Sequence, residues 1–416
     1  MLELFKQNKM FRFLLTYQFF SAIGGGMFSM FILLSVHLIY HNPIYTGIAG
    51  FLMAAPFMFS FAVGPIVDRR DKVAIMRLTT LLEFVVISLL AFTPLKEQLG
   101  VLFMFGVIFA YNIAALFEAP AGSALLPQIV DEEKILEANS MIRIVAMVGG
   151  GAIAAVLFIS LRGEASFDFI YGFSAIFLVI AFFASLFLKN AVRADAAANT
   201  SFAKYVQDLK EGTKFISGNV LLYIIILLTA LGMFAEIAFV NRPMFLEYHV
   251  GAHGYIIFSM LVLVGGIFAS SLMGKIGNRF KVGQLILILL LLAGVMRIVF
   301  VYVLPIRVMS GVVTMIAYAT FGSAMGIVVS SLQQKIPPKD MVGRVVTLSS
   351  TFRAIFVTIG ALLGGFLGSI VPVVDYIFIF QGIGYIAIAV FMFFVPSVRR
   401  LPRMNEIGKD EPASAQ

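Results

Sequence analysis

Apolar stretches long enough to cross a bilayer follow one another along this chain, separated by short polar loops. A spanning helix needs roughly 20 mostly apolar residues. Twelve such stretches are read at 13–40, 45–67, 73–93, 99–121, 137–161, 167–188, 220–246, 254–274, 283–303, 308–331, 345–371 and 374–396. Lipid offers the backbone no hydrogen-bonding partner, so each stretch is expected to be a helix. Glycines at Gly24 to Gly26 and prolines at Pro56 and Pro120 fit this reading, because membrane helices tolerate both. The predicted fold class is an all-α membrane protein with twelve transmembrane helices in two six-helix bundles.

The polar loops set the orientation. With the N-terminus cytoplasmic, inner loops and adjoining helix ends carry 25 of the 30 basic residues, among them Lys6, Arg70, Lys134, Lys189, Lys281, Lys335 and Arg400. Outer loops carry Lys96, Arg162 and Arg307, and Arg242 and Arg297 fall within spans. Positive charge collects on the cytoplasmic side, so both termini are expected there, with the chain in the plasma (inner) membrane. The first span is longer than a signal-peptide core and no small-residue cleavage site follows it, so it is expected to stay as a helix.

Composition narrows the function classes. Hydrophobic residues make up 61% of 416 positions and charged residues 12%, beyond what a water-soluble core requires; mean hydropathy is +1.00. The net charge of +8 is accounted for by topology and anionic inner-leaflet lipid, so no nucleic-acid partner is expected. The chain has no cysteine and four histidines without ligand spacing, so neither a metal site nor a cofactor is expected. No nucleophile elbow, phosphate-binding loop or close carboxylate pair for catalysis stands out in the sequence, and no enzyme activity is expected. The Gly-rich runs lie within spans, where they allow close helix contact.

The longest polar interruption, 189–219, divides the chain into an N-terminal bundle at 1–188 and a C-terminal bundle at 220–398, followed by a cytoplasmic tail at 399–416. Within it Phe202, Val206, Leu209, Thr213 and Ile216 recur at helical spacing against Lys204, Asp208, Lys210, Glu211 and Lys214. That pattern predicts an amphipathic helix on the inner membrane face, tethering the halves. The halves echo each other: Gly64-Pro-Ile-Val-Asp68-Arg69-Arg70-Asp71-Lys72 follows span two, and Gly274-Lys-Ile-Gly-Asn278-Arg279-Phe-Lys281 follows span eight, an offset of 274 − 64 = 210. Six spans repeated in parallel across a long inner loop is a secondary-transporter design.

Gly64-x-x-x-Asp68-Arg69-x-x-Lys72 resembles the inner-loop signature of the major facilitator superfamily, and the resemblance covers essentially the whole chain. Ala124-Leu-Leu-Pro127 with Leu136-Glu-Ala-Asn139, Leu209-Lys-Glu-Gly212-Thr-Lys-Phe215, and Val342-Gly343-Arg344-Val resemble the macrolide-efflux and enterobactin-exporter branch of its drug:proton antiporters. Three departures stand out. Asp71 replaces the signature's usual glycine, Asn278 stands where the first copy has Asp68, and Gly149-Gly150-Gly151 in span five lacks the proline of the antiporter motif. The resemblance implies an inner gate in which Asp68 caps the start of span eleven, with Arg69, Lys72, Gly64 and Arg353 beside it; Arg353 is alternatively a contact for an anionic substrate group.

Charges at membrane depth are functional candidates by default. Glu118 near the inner end of span four is expected either to pair with Arg143 of span five, to join Lys72 at the gate, or to carry protons. Glu236, in the middle of span seven with Arg242 six residues on and no cation one turn before, is the sharper proton-coupling candidate. Glu83 in span three, with Arg77 six residues earlier, is expected to be structural, and Arg297 to snorkel toward the outer face. By analogy with the family, Tyr17, Gln18, Phe28, Tyr111, Asn112, Phe234, Tyr318 and Phe321 are candidates for a central cavity whose shortage of polar anchors suits a bulky lipophilic ligand.

The function expected is secondary active export of lipophilic or amphiphilic compounds, of the drug or macrolide type, by proton antiport with alternating access. Alternatives are a lysophospholipid or other lipid transporter working without protons, and a siderophore exporter. The expected partners are a small lipophilic substrate, protons and membrane lipids, with the chain working as a monomer.

Overall fold

The computed structural model describes residues 2–131, 134–154, 156–157, 166–189, 202–277, 279–338 and 341–407. It divides into two compact units, Met1–Thr200 and Ser201–Gln416. Among the described residues the regular structure is helical, apart from one isolated bridge between Lys281 and Arg403.

Local chemistry sets the helix ends in the first unit. Helix α1, Lys9–Tyr40, starts where the Asn8 side chain accepts from Phe11 N, and stops at His41, whose φ of 48° is left-handed. Helix α2 is broken: it runs Pro43–Ala54, tightens through Ala55–Phe59 around Pro56, and resumes over Ser60–Arg69. Helix α3, Lys72–Phe92, is capped by Asp71, whose carboxylate accepts from Ala74 N at 2.8 Å. The residue that departs from the signature glycine therefore has a task of its own, satisfying an otherwise orphaned amide.

Helix α4, Val101–Ile129, carries Pro120 and Pro127 inside it. Helix α5 runs Ile135–Met147 and then widens into a π turn at Val148–Ile153 that contains the triple glycine. That turn presses on α1: a Cβ added to Gly26 would collide with the carbonyl of Gly150. Helix α6 is Phe167–Leu186, capped by Ser166. The expected outer end of span five, 158–161, lies outside the described residues.

The second unit opens with the linker helix, Phe202–Ser217. It continues with α7 (Leu221–Val240), α8 (Ala252–Ile276), α9 (Val282–Val303), α10 (Val308–Lys335), α11 (Val342–Ile370) and α12 (Asp375–Phe393). Among the described residues ten helices are long and apolar enough to cross a membrane, and Ile257–Met273 is a shorter apolar stretch. Packing repeats from unit to unit. In the first, α1 lies on α5 and α6, α4 on α2 and α3, and α6 on α3; in the second, α7 lies on α11 and α12, α10 on α8 and α9, and α12 on α9.

Two of the separately recognised motifs meet here. Gly212 of the linker helix abuts Leu348 and Arg344 of α11, and Arg344 Nη1 donates to Glu211 Oε2 at 2.7 Å. The tail is strapped to the same end of the unit: Val282 N donates to Pro402 O at 3.0 Å and Lys335 Nζ to Met404 O at 2.8 Å.

Candidate functional site

The first unit gathers its polar groups on the facing sides of three helices. Tyr17 and Ser21 are one turn apart on α1, Thr80 and Glu83 one turn apart on α3, and Tyr111 and Glu118 two turns apart on α4, so each pair shares a helix face. Tyr17 Oη donates to Glu118 Oε1 at 2.6 Å, and Ser21 Oγ donates to the same oxygen at 2.7 Å. Thr80 Oγ1 lies 2.8 Å from the Tyr17 hydroxyl. Glu83, one turn after Thr80 and 1% exposed, has neither of its oxygens bonded to a donor.

This arrangement rules out one of the alternatives for Glu118 and places Arg77 and Tyr17 on other partners. Glu118 does not pair with Arg143: the acid is turned inward onto the hydroxyls of α1, while Arg143 is exposed on α5. Arg77 does not serve Glu83 either. Its guanidinium donates to the carbonyls of Ser185, Leu186 and Leu188, closing the end of α6. Tyr17, expected on a cavity wall, is fully buried against Thr80 and Glu118. In each case spacing along one helix identified the face, and a residue on another helix decided what that face meets.

The other aromatic candidates of this unit also pack inside it. The Phe28 ring lies tilted against the Tyr111 ring at 4.2 Å, and Gly25 makes room for the Tyr111 hydroxyl. Asn112 Nδ2 donates to Ile108 O at 2.8 Å, and Gln18 lies over Gly122. Of the expected gate residues, Lys72 is buried and engaged at the first turn of α3. Gly64, Asp68 and Arg69 belong to the helix Ser60–Arg69, but their side chains lie outside the described residues, as does Asn278 of the second copy.

In the second unit Glu236 of α7 packs against Gly360 of α11, where a Cβ would come within 3.2 Å of its own Cβ. Arg242 and Arg353 are the cations whose charge bears on it. Arg353, exposed on α11 and lying over Gly232, lines a cavity of about 180 Å³ together with Ala235, Leu289, Gly322 and Tyr385. Phe234 packs on Phe380 and Gly384, and Phe321 lies against the unit's core.

Arg297 of α9 corrects another expectation. It does not snorkel: it is 1% exposed, deep in the unit. Its Nε donates to Gln381 Oε1 at 2.6 Å, and its guanidinium carbon lies 4.5 Å from the Phe378 ring and 4.6 Å from the Tyr318 ring. Gln381 Nε2 in turn donates to Tyr318 Oη at 3.0 Å. A tight aromatic cage and one amide acceptor hold the cation. Nothing in the sequence around Arg297 names those partners, because Gln381 is 84 residues away.

Comparison with known proteins agrees with this architecture. The chain is 24% identical over 368 residues to macrolide efflux protein A of Streptococcus pyogenes, covering 85% of this chain and 86% of that one. It is 25% identical over 415 residues to the MFS-type transporter YkuC of Bacillus subtilis, covering 94% and 93%. Among solved structures, a D-xylose-proton symporter superposes with a TM-score of 0.73 at 13% identity, covering 96% of this chain and 99% of the other. The nucleoside transporter NupG gives 0.71 at 15%, covering 92% and 98%. These superpositions show the fold. The family model described as Major Facilitator Superfamily matches residues 14–356, and the chain belongs to that superfamily of membrane transporters.

Proposed function

We propose that this transporter exports lipophilic or amphiphilic compounds, macrolides first among them, across the plasma membrane by proton antiport with alternating access. Twelve spans, cytoplasmic termini and a monomeric working unit complete the reading, with Asp68, Arg69, Lys72 and Arg353 at an inner gate. Relatives named macrolide efflux protein A, over most of the chain's length, support the substrate class. The observation that carries proton coupling is Glu118, a carboxyl within an apolar span whose bonds come from two hydroxyls. An acid held by neutral donors can change its charge without breaking an ion pair. Glu236, beside α11, is the second proton candidate.

The test is reconstitution into liposomes with an imposed pH gradient, following labelled erythromycin and ethidium. Gradient-driven accumulation of either, abolished by a protonophore, is expected. Movement that ignores the gradient, with transfer of a labelled lysophospholipid, would replace this reading by the proton-independent lipid transporter.

A further inference from the structure

The geometry points to Glu83 and Glu118 as one proton-binding site, a carboxylic acid and a carboxylate sharing a single proton between α3 and α4. The inference deepens the antiport reading and rests on it for the role of that proton, though not for its presence.

Glu83 is the independent observation. It is 99% buried by its 1% exposure, and both its oxygens lack a donor. The Glu118 carboxyl belongs to the same cluster: Tyr17 Oη, which donates to it at 2.6 Å, lies 2.8 Å from Thr80 Oγ1, one turn before Glu83 on α3. Two neighbouring carboxylates, one of them Glu83 at 1% exposure, repel, and a proton held between them relieves that repulsion. A bond forms there when one proton stands between them. Among the described residues no cation offers another solution. Lys72 lies at the far start of α3 and Arg77 is committed to the end of α6. Lys96 is bonded to Asp168 at the opposite end of the helix pair. The other titratable groups that face the pair are Tyr17 and Tyr111.

The site is also wired to a third helix. Glu118 Oε1 receives hydroxyls from Tyr17 and Ser21, so α1 already supplies two donors to one side of the pair. When the shared proton leaves to water, the O–H bond of one acid breaks and a second negative charge appears between α3 and α4. The hydroxyls of Tyr17 and Ser21, both on α1, are the groups placed to answer that charge, which ties its appearance to the packing of α1 against α4. The pair therefore converts proton release into helix movement within one bundle. Glu83, which the sequence presents as a structural acid, becomes half of the site.

The test uses the full-length chain. Infrared difference spectra between acid and alkaline buffer read the carbonyl stretch of a protonated carboxylic acid, identified by its shift in heavy water. Glu83→Gln is the informative variant, because the amide N–H replaces the shared proton and donates to Glu118, so folding is kept. The expected result is loss of one acid signal in this variant, together with loss of pH-driven erythromycin accumulation while exchange of erythromycin down its own gradient persists. Glu118→Gln tests the pair from α4 and is expected to lose the same driven accumulation. Persistence of the acid signal in Glu83→Gln, or driven accumulation equal to the unmodified chain, overturns the proposal. Should the unmodified chain move erythromycin without regard to pH, the antiport reading fails, and the spectral comparison still decides whether the pair holds a proton.

Discussion

The two units bury opposite charges on corresponding helices, and treat them differently. On α3 and α4 the first unit holds two acids: Glu118 receives hydroxyls from Tyr17 and Ser21, and Glu83 is buried without a donor. Among α9, α10 and α12 the second encloses a cation, Arg297, between Phe378 and Tyr318, with Gln381 and the Met315 sulfur as its acceptors. A carboxyl can shed its charge by taking a proton; a guanidinium in a protein cannot. An arginine at that depth therefore has to be held permanently, by π faces and a neutral acceptor. The acids of this cluster in the first unit and Arg297 in the second therefore place different demands on their surroundings, although both units use the same helix pairings.

Substitutions that break this contrast should differ in size. Gln381→Leu leaves the buried guanidinium with the Met315 sulfur in place of its oxygen acceptor and is expected to cost about 2–3 kcal/mol, read as a lowered thermal midpoint in detergent. An unchanged midpoint would mean that the aromatic faces suffice. Arg297→Lys keeps the charge but loses the planar stack, with an expected cost of about 1–2 kcal/mol by the same measurement. Tyr17→Phe removes one of two donors to Glu118 while keeping the ring, and about 1 kcal/mol of destabilisation is expected. Loss of activity greater than loss of stability there would place α1 in the response to the proton. Glu83→Gln should be the mildest for stability, within about 0.5 kcal/mol. A large destabilisation would show an ion pair where the contrast requires a shared proton.

The sequence made the repeat legible through loops, not through sites. Gly64 to Lys72 and Gly274 to Lys281 stand in corresponding loops, so the parallel design could be read before any helix was placed. Gly212 and Arg344, recognised in separate motifs, do meet at the junction of the linker helix and α11. Glu118 was legible as a charge at depth, but its partners were not. Arg143 stands 25 residues from it in the chain, whereas Tyr17 stands 101 residues away and forms the bond. Glu83 looked structural because Arg77 is near in sequence, yet Arg77 is drawn to the open carbonyls of α6.

What the sequence determined alone is the solvent of each segment: long apolar runs select helices in lipid, and basic loops mark one side, because both effects are summed locally along the chain. Which buried charge meets which partner was decided by tertiary structure. Helices crossing at glycines such as Gly26 bring together side chains far apart in sequence, and a charge in an apolar interior is governed by the atoms within a few ångströms of it.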